Sequence, residues 1–366
     1  MARLLRTKHG TDLLLQSNVT NEDIREMSVT LGIRFMSNDA KSPAPVTVVV
    51  PTYNRADCVR NAVDSVLAQG RLCREIIVID DGSFDGTLNV LAPYGNAITV
   101  IRQENRGVSA ARNAGIAAAT STWIAFLDSD DEWEPQRLQW FAEDLERWPE
   151  AVAHVGNARF ISAGRELTTH TAVHGIEGGI EGAELLTNPL SVHLRYQFLT
   201  PTFIVRRDCL LSERGFDPSV PIFEDYRLFT KVGLRGNWVR RKDAVARIFR
   251  RGLASSNTFA NLPEKGMRGA ESFIDTYVQL LGREELGSKD RKLIRRRLSA
   301  CRATLAAGNR DRGAWVPAAK GFARSIADFP TVTAVGRAVV GAICGTAGVQ
   351  RLSAARHGQK RYDKGR

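Results

Sequence analysis

From Val46 onward, short apolar runs alternate with stretches of helical period, and this alternation is the strongest regularity in the chain. Val46-Thr47-Val48-Val49-Val50 reads as a buried strand ended by Pro51, and Glu75 to Ile79, Ile98 to Ile101 and Trp123 to Leu127 read as three more. Between them the period lengthens. Val59, Ala62, Val63, Val66 and Leu67 fall on one helical face with Gly70 as the stop, and an Ala-rich helix is predicted from about Val108 to Ala119. After the fourth strand, Pro135 opens a helix with Leu138, Phe141, Ala142 and Leu145 inward, closed by Pro149. Repeated strand-helix units of this kind predict an α/β fold on a mainly parallel sheet. The first 44 residues are polar and weakly periodic and run into the linker-like Lys41-Ser42-Pro43-Ala44-Pro45. The expected organisation is an N-terminal polar extension over 1–44, a main α/β domain over 45–260 and a basic helical region over 261–366.

Every predicted strand delivers polar residues at its carboxyl end. These are Thr52-Tyr53-Asn54-Arg55, Asp80-Asp81-Gly82-Ser83, Asn105-Arg106-Gly107 and Asp128-Ser129-Asp130-Asp131. Ligands of open α/β sheets bind outside the carboxyl ends of the strands, so four such tips define one crevice. The fourth tip is the most informative, because three carboxylates within four residues repel one another unless a cation or strong donors neutralise them. An oxygen-rich, sulfur-free set suits Mg²⁺ or Mn²⁺, which bind through one or two carboxylates and bridge to phosphates. A turn with solvated acids is the bland alternative for the isolated motif. Asp80 and Asp81 can accept hydrogen bonds from a base or ribose, and Tyr53 offers a face for stacking. Arg106, Arg112 and the amino end of the Val108 helix place positive charge where phosphates would lie, while the phosphate loop of ordinary NTPases is absent. Further on, Asp225, Leu228, Phe229 and Val232 share one face of a predicted helix, which directs Asp225 to the packed side, an environment suited to a general base. A helix-capping Asp is the competing reading, and Glu224 either orients the base or faces solvent.

In this order the motifs resemble glycosyltransferase family 2, the inverting nucleotide-sugar enzymes of the GT-A fold. The segments are Pro51-Thr52-Tyr53-Asn54, Asp80-Asp81-Gly82-Ser83, Glu104 to Asn113, Leu127 to Asp131, and Glu224-Asp225, and the likeness runs from about Val46 to Asn257. The resemblance implies a Rossmann-like GT-A catalytic domain with a C-terminal helical extension. It further implies a nucleotide-sugar donor, most often UDP-linked, with Thr52, Tyr53, Asp80 and Asp81 near the base, Asp128 and Asp130 as the DxD pair, Asp130 on the metal, and Asp225 as catalytic base beside Glu224. The acceptor implied is a glycan or a lipid-linked sugar. Two segments depart from the family pattern. Phe249-Arg250-Arg251-Gly252 lacks the histidine usual there, leaving Arg250 or Arg251 to reach the diphosphate, and Tyr226-Arg227-Leu228 stands where Asp-Leu-Trp is frequent. Competing functions are an aspartyl phosphohydrolase, a sugar nucleotidyltransferase, and an inactive glycan- or membrane-binding scaffold. The phosphohydrolase wants its Asp-x-Asp on the first strand, and the nucleotidyltransferase wants a Gly-rich basic loop after it.

Composition adds two constraints. Among 366 residues, 43% are apolar and 25% charged, ordinary for a globular protein, and the five cysteines include no CxxC pair. With no signal peptide read at the start, a cytoplasmic location is expected and zinc is not. The net charge of +11 is concentrated at the end. From Arg283 onward, 19 Lys and Arg face 6 Asp and Glu, whereas the preceding residues carry 32 against 34. An anionic membrane surface, reached peripherally from the cytoplasmic side, is therefore an admissible partner, and nucleic acid is not expected. Ile294, Leu298, Cys301 and Leu305 form one apolar stripe on a basic helix that suits either a membrane face or packing on the main domain. Val332 to Val349 is apolar but interrupted by Arg337, too short to span a bilayer. His170 and His174, in a glycine-rich stretch, are expected on a mobile loop rather than on a metal, and residues 160–200 are expected to form a lid or acceptor loop.

Overall fold

The computed structural model describes residues 3–6, 12–15, 45–174, 182–250 and 263–362. The chain divides into two compact units, Met1–Pro43 and Ala44–Arg366. In the first, β1 (Arg3–Arg6) pairs antiparallel with β2 (Asp12–Leu15).

The second unit begins with β3 (Val46–Thr52), α1 (Val59–Leu67), β4 (Cys73–Asp80), α2 (Thr87–Leu91), β5 (Thr99–Arg102), α3 (Val108–Ala118) and β6 (Trp123–Phe126). Then come β7 (Glu132–Trp133), α4 (Arg137–Arg147), β8 (Ala153–Ser162), β9 (Arg165–Thr169), α5 (His170–Val173), β10 (Ala183–Leu186) and α6 (Pro189–Tyr196). They are followed by β11 (Phe203–Arg206), α7 (Arg207–Ser212), α8 (Glu224–Val232) and β12 (Trp238–Phe249). Among the described residues, four helices follow: α9 (Pro263–Leu281), α10 (Ser288–Asp311), α11 (Trp315–Asp328) and α12 (Val332–Tyr362).

The sheet runs β10-β12-β8-β11-β6-β3-β4-β5, with β7 on β12 and β9 on β8. β5, β4, β3 and β6 are mutually parallel, and β11 enters antiparallel between β6 and β8. Because strand order reverses about β3, the crossovers leave on opposite faces and a crevice opens at the carboxyl ends there. Register sets its floor: Thr52 lies opposite Asp80, and Asp80 opposite Arg102.

Burial on both faces explains the uninterrupted valines of β3. Val46, Val48 and Val50 pack with Val59, Ala62, Val63 and Val66 of α1 and with Leu138 and Phe141 of α4. Val49 faces the other way, toward Ala111 and Ile116 of α3 and the aromatic side chains Phe126, Phe203 and Phe229. Gly115 lets α3 lie close on β3, since a Cβ there would stand 2.3 Å from Val49 Cγ1. Alanine at Gly115 gains up to about 1 kcal/mol of helix propensity. Overpacking against the central strand costs about 1–3 kcal/mol, so net destabilisation is expected in urea unfolding with the slope unchanged. A Val49→Ala change in the same chain should recover part of that loss.

The structure bears on two stretches singled out in the sequence. Of the stretch expected to form a lid or acceptor loop, the described residues 160–174 and 182–200 hold the end of β8, β9, α5, β10 and α6, with Asn188 Oδ1 capping α6 by accepting from Ser191 N–H. His170 is buried, its Nε2 3.2 Å from Gln197 O; Gly175, Gly178 and Gly179 lie outside the described residues. The apolar stripe of α10 is also occupied internally. Ile294 and Leu298 are buried with Leu190, Leu194, Tyr226, Tyr277 and Leu280, and Cys301 packs against that cluster, so this stripe caps the sheet unit rather than facing lipid. No helix among the described residues is long and apolar enough to cross a membrane.

Candidate active site

Asp81 organises the first wall of the crevice. Its Oδ1 accepts from Gln103 Nε2 at 2.7 Å and from Arg106 N–H at 2.9 Å, and its Oδ2 accepts from Gly107 N–H at 2.8 Å. These bonds tie the tip of β4 to the turn that enters α3. The backbone N–H groups they engage, those of Arg106 and Gly107, lie just before the first helical residue, Val108. Asp80 is fully buried, accepting from Ser83 N–H at 3.2 Å, with Arg102 Nε 3.4 Å from its Oδ2. Gly82 makes the turn at φ +83°, where a Cβ would press to 3.0 Å on Asn105 N.

The tip of β3 interlocks with the same loop. Asn54 N–H donates to Ser83 Oγ at 2.9 Å and Asn54 Oδ1 accepts from Phe84 N–H at 3.0 Å. Tyr53 stays exposed and meets the exposed Phe84 edge to face at 6.1 Å, which forms an aromatic surface at the mouth. Thr52 is buried and its Oγ1 lacks a protein partner, leaving a polar group on the crevice floor for a ligand to engage.

Arg112 joins the third and fourth tips to the distant acid pair. Rooted in α3 and buried against the Phe216 ring, its Nη2 donates to Asp128 Oδ1 at 2.7 Å and its Nη1 to Glu224 Oε1 at 2.8 Å. Burial alone would disfavour the guanidinium charge, but Asp128, Glu224 and Asp225 more than offset it and Arg112 is held firmly charged. It is therefore not a free phosphate ligand but the cation between two acid motifs. Glu224 does not face solvent. Burial, with the Asp225 charge beside it, pushes Glu224 above the ordinary carboxylate range in spite of Arg112.

Asp225 sits in the first turn of α8, whose N-cap residue Phe223 is in the left-handed conformation and contributes no side-chain cap. Asp225 Oδ2 accepts from Thr200 Oγ1 at 2.6 Å and Oδ1 from Tyr226 N–H at 2.7 Å. Thr200 escaped the sequence reading. Its only signal was Thr200-Pro201-Thr202, and nothing local indicates that this turn meets residue 225.

Asp130 lies 3.7 Å from Arg55 Nη2. Asp131 turns inward instead, with Oδ1 accepting from Phe249 N–H at 3.1 Å. Burial, followed by repulsion from Asp128 and Asp130, pushes Asp131 well above the usual carboxylate range. Among the described residues no group of three or more His, Cys, Asp or Glu side chains converges. Asp128 and Asp130, about a quarter exposed at 26% and 28%, offer the oxygen donors Mg²⁺ or Mn²⁺ takes when a diphosphate and water complete the shell. Arg250 stacks over Phe160 at 4.7 Å and lowers the Asp131 carboxyl electrostatically, which places it beside the acidic tip; Arg251 lies outside the described residues.

Residues 47–208 match the family model described as Glycosyl transferase family 2. The chain is 37% identical over 182 residues to the succinoglycan biosynthesis protein ExoO of Rhizobium meliloti (strain 1021), which covers 49% of this chain and 47% of that protein. It is 39% identical over 98 residues to the putative teichuronic acid biosynthesis glycosyltransferase TuaG of Bacillus subtilis (strain 168), covering 26% and 39%. The chain thus spans less than half the length of these curated relatives. Among solved structures, S. aureus TarS 1-349 in complex with UDP-GlcNAc superposes with a TM-score of 0.61 at 18% identity, over 85% of this chain and 92% of that one. The shared architecture is the GT-A fold.

Proposed function

Residues 47–208 belong to glycosyltransferase family 2, and on that premise we propose that the chain is a metal-dependent, inverting transferase that moves a sugar from a UDP-sugar to a hydroxyl of a glycan or lipid-linked acceptor. The observation that carries the reading is Arg112 gripping Asp128 on one side and Glu224 on the other, because it brings the carboxylates of the DxD tip and the Glu-Asp helix to a single site. The relatives' part in succinoglycan and teichuronic acid biosynthesis supports an envelope or secreted polysaccharide as the product.

Transfer is a single displacement at the anomeric carbon. Asp225 takes the proton of the acceptor hydroxyl as its oxygen bonds to that carbon, and the bond to the nucleoside diphosphate breaks on the opposite face. Thr200 and the Tyr226 N–H each occupy one lone pair of the Asp225 carboxylate, which fixes its rotamer and leaves acceptor capacity on both oxygens. Tyr53 presents its ring to the base, and Thr52 Oγ1 supplies a polar contact beneath it. Asp130, with Asp128 alongside, would hold a divalent cation, which when bound would neutralise charge on the departing diphosphate. Arg250 lies near enough to the acidic tip to add to it.

Thermal unfolding with UDP-GlcNAc, GDP- and dTDP-sugars tests this reading. At a ligand concentration about 100 times Kd, bound donor should add roughly 2.7 kcal/mol of stability. We expect that gain for a UDP-sugar with Mn²⁺ present, most of it absent in Asp130→Ala, together with release of UDP when acceptor or water is available. No stabilisation by any donor and no UDP release would sink the proposal. Donor binding without UDP release would point to a scaffold that has lost its activity.

A further inference from the structure

We propose that the corner formed by the start of α11 and the bend of α12 docks on an anionic lipid surface. This inference is independent of the transferase reading. The α10 stripe, the obvious membrane candidate in the sequence, is sealed inside the protein. The exposed apolar side chains of the C-terminal region lie elsewhere. Trp315, Val316 and Ile343 are 61%, 65% and 66% exposed, and Val335 and Val339 continue the Ile343 row along α12 at four-residue spacing.

Arg310 gathers this corner into one surface. Its guanidinium lies over the Trp315 ring at 5.6 Å, and its Nη2 and Nε donate to the carbonyls of Ile343 and Ala342 at 2.6 and 3.2 Å. Those carbonyls are freed because α12 breaks at Gly345, where φ is +63° and ψ −153°. Asp311 fixes the bend from the other side, accepting from the N–H of Thr346 at 2.8 Å and from its hydroxyl at 2.5 Å. Trp315 and Ile343 are therefore held side by side on a braced corner and not on a fraying end.

Charge decides the occupant. Arg312 is exposed beside the start of α11, and Lys320 and Arg324 are exposed at four-residue spacing from Val316 along it. From Arg310 to Val349 the sequence carries five Lys and Arg against two acids, Asp311 and Asp328, which are paired with Arg310 and Arg302. A second copy would bring the same positive charge against itself. An anionic headgroup layer instead satisfies the basic rim while Trp315, Val316 and Ile343 enter the boundary with the acyl chains, the arrangement of interfacial helices.

Co-sedimentation of the full chain with phosphatidylcholine vesicles, with and without phosphatidylglycerol, tests the proposal. Binding is expected with the anionic vesicles alone and should weaken with salt. The Trp315→Ser, Ile343→Ser double variant should lose at least about tenfold in partitioning with its melting temperature unchanged, since both side chains are exposed. Lys320→Glu should weaken binding by about fivefold or more. Equal binding by the serine variant, or no binding of the wild-type chain to anionic vesicles, overturns the proposal. Concentration-dependent dimerisation abolished by the serine variant, without vesicle binding, overturns it in favour of a second copy.

Discussion

Asn in place of Asp225 is expected to slow sugar transfer by about 10²- to 10⁴-fold while leaving UDP-sugar binding intact. The amide has nearly the shape of the carboxylate and can still accept from the Tyr226 N–H, so α8 keeps its place. What it cannot do is take a proton. Donor affinity provides the control, because the groups assigned to the nucleotide lie at the tips of β3 and β4, on other elements. Initial rates of UDP release with acceptor present, measured beside donor-induced thermal shifts, separate the two quantities. A variant that keeps its rate within a few-fold would place the base elsewhere, whereas one that loses donor binding as well would assign Asp225 to the donor pocket. Thr200→Val should have a much smaller effect, since it frees the orientation of the base without removing it.

The second large effect belongs to Arg112. Arg112→Met fills a similar volume but leaves Asp128 and the mostly buried Glu224 without the cation they share. Breaking a buried pair from one side typically costs about 3–5 kcal/mol, and activity should fall with it because both acid motifs lose their common anchor. The pH dependence has a definite sign. Glu224 is already raised in the folded protein, and removing Arg112 raises it further, so folding of the variant is favoured with Glu224 protonated and penalised as pH climbs through its folded pKa. The stability gap to wild type should therefore be widest at about pH 8 and narrow toward about pH 5, as urea unfolding at the two values would report. A gap that widens on acidification would contradict this account. Arg112→Lys should recover only part of the loss, because an ammonium is a point charge and cannot hold two carboxylates with the planar fork of a guanidinium.

These two residues show how unevenly the site could be read beforehand. Asp128, Asp130 and Asp225 stand out because their signal is local: a carboxylate cluster at the end of an apolar run, and an acid at helical spacing from Leu228, Phe229 and Val232. Arg112 also stood out, yet its partners did not. Its two ion pairs reach 16 and 112 residues along the chain, and no spacing rule connects them. Asp81 was read as a ligand group at a strand tip, but three donors from the β5–α3 turn claim its carboxylate, which only the folded turn reveals. Thr200 and Phe84 gave no signal strong enough to single them out.

The sequence by itself determined what depends on near neighbours. The alternation of period placed β3 to β6, α1 and α3 within a few residues but not the short α2, the polar strand ends announced the crevice, and the order of motifs announced the family. Tertiary structure decided every question of who meets whom. It inserted β11 antiparallel into the sheet, folded residues 160–174 and 182–200 into strands and short helices, buried the α10 stripe against Tyr226 and Tyr277, and left Trp315 and Ile343 outside. An apolar stripe states that a surface will be covered, since burying it is favourable against almost any apolar partner. Because that driving force is non-directional, the stripe does not name the partner. Only the complete packing, in which each surface competes for the others, settles which face is sealed and which remains for a ligand or a membrane.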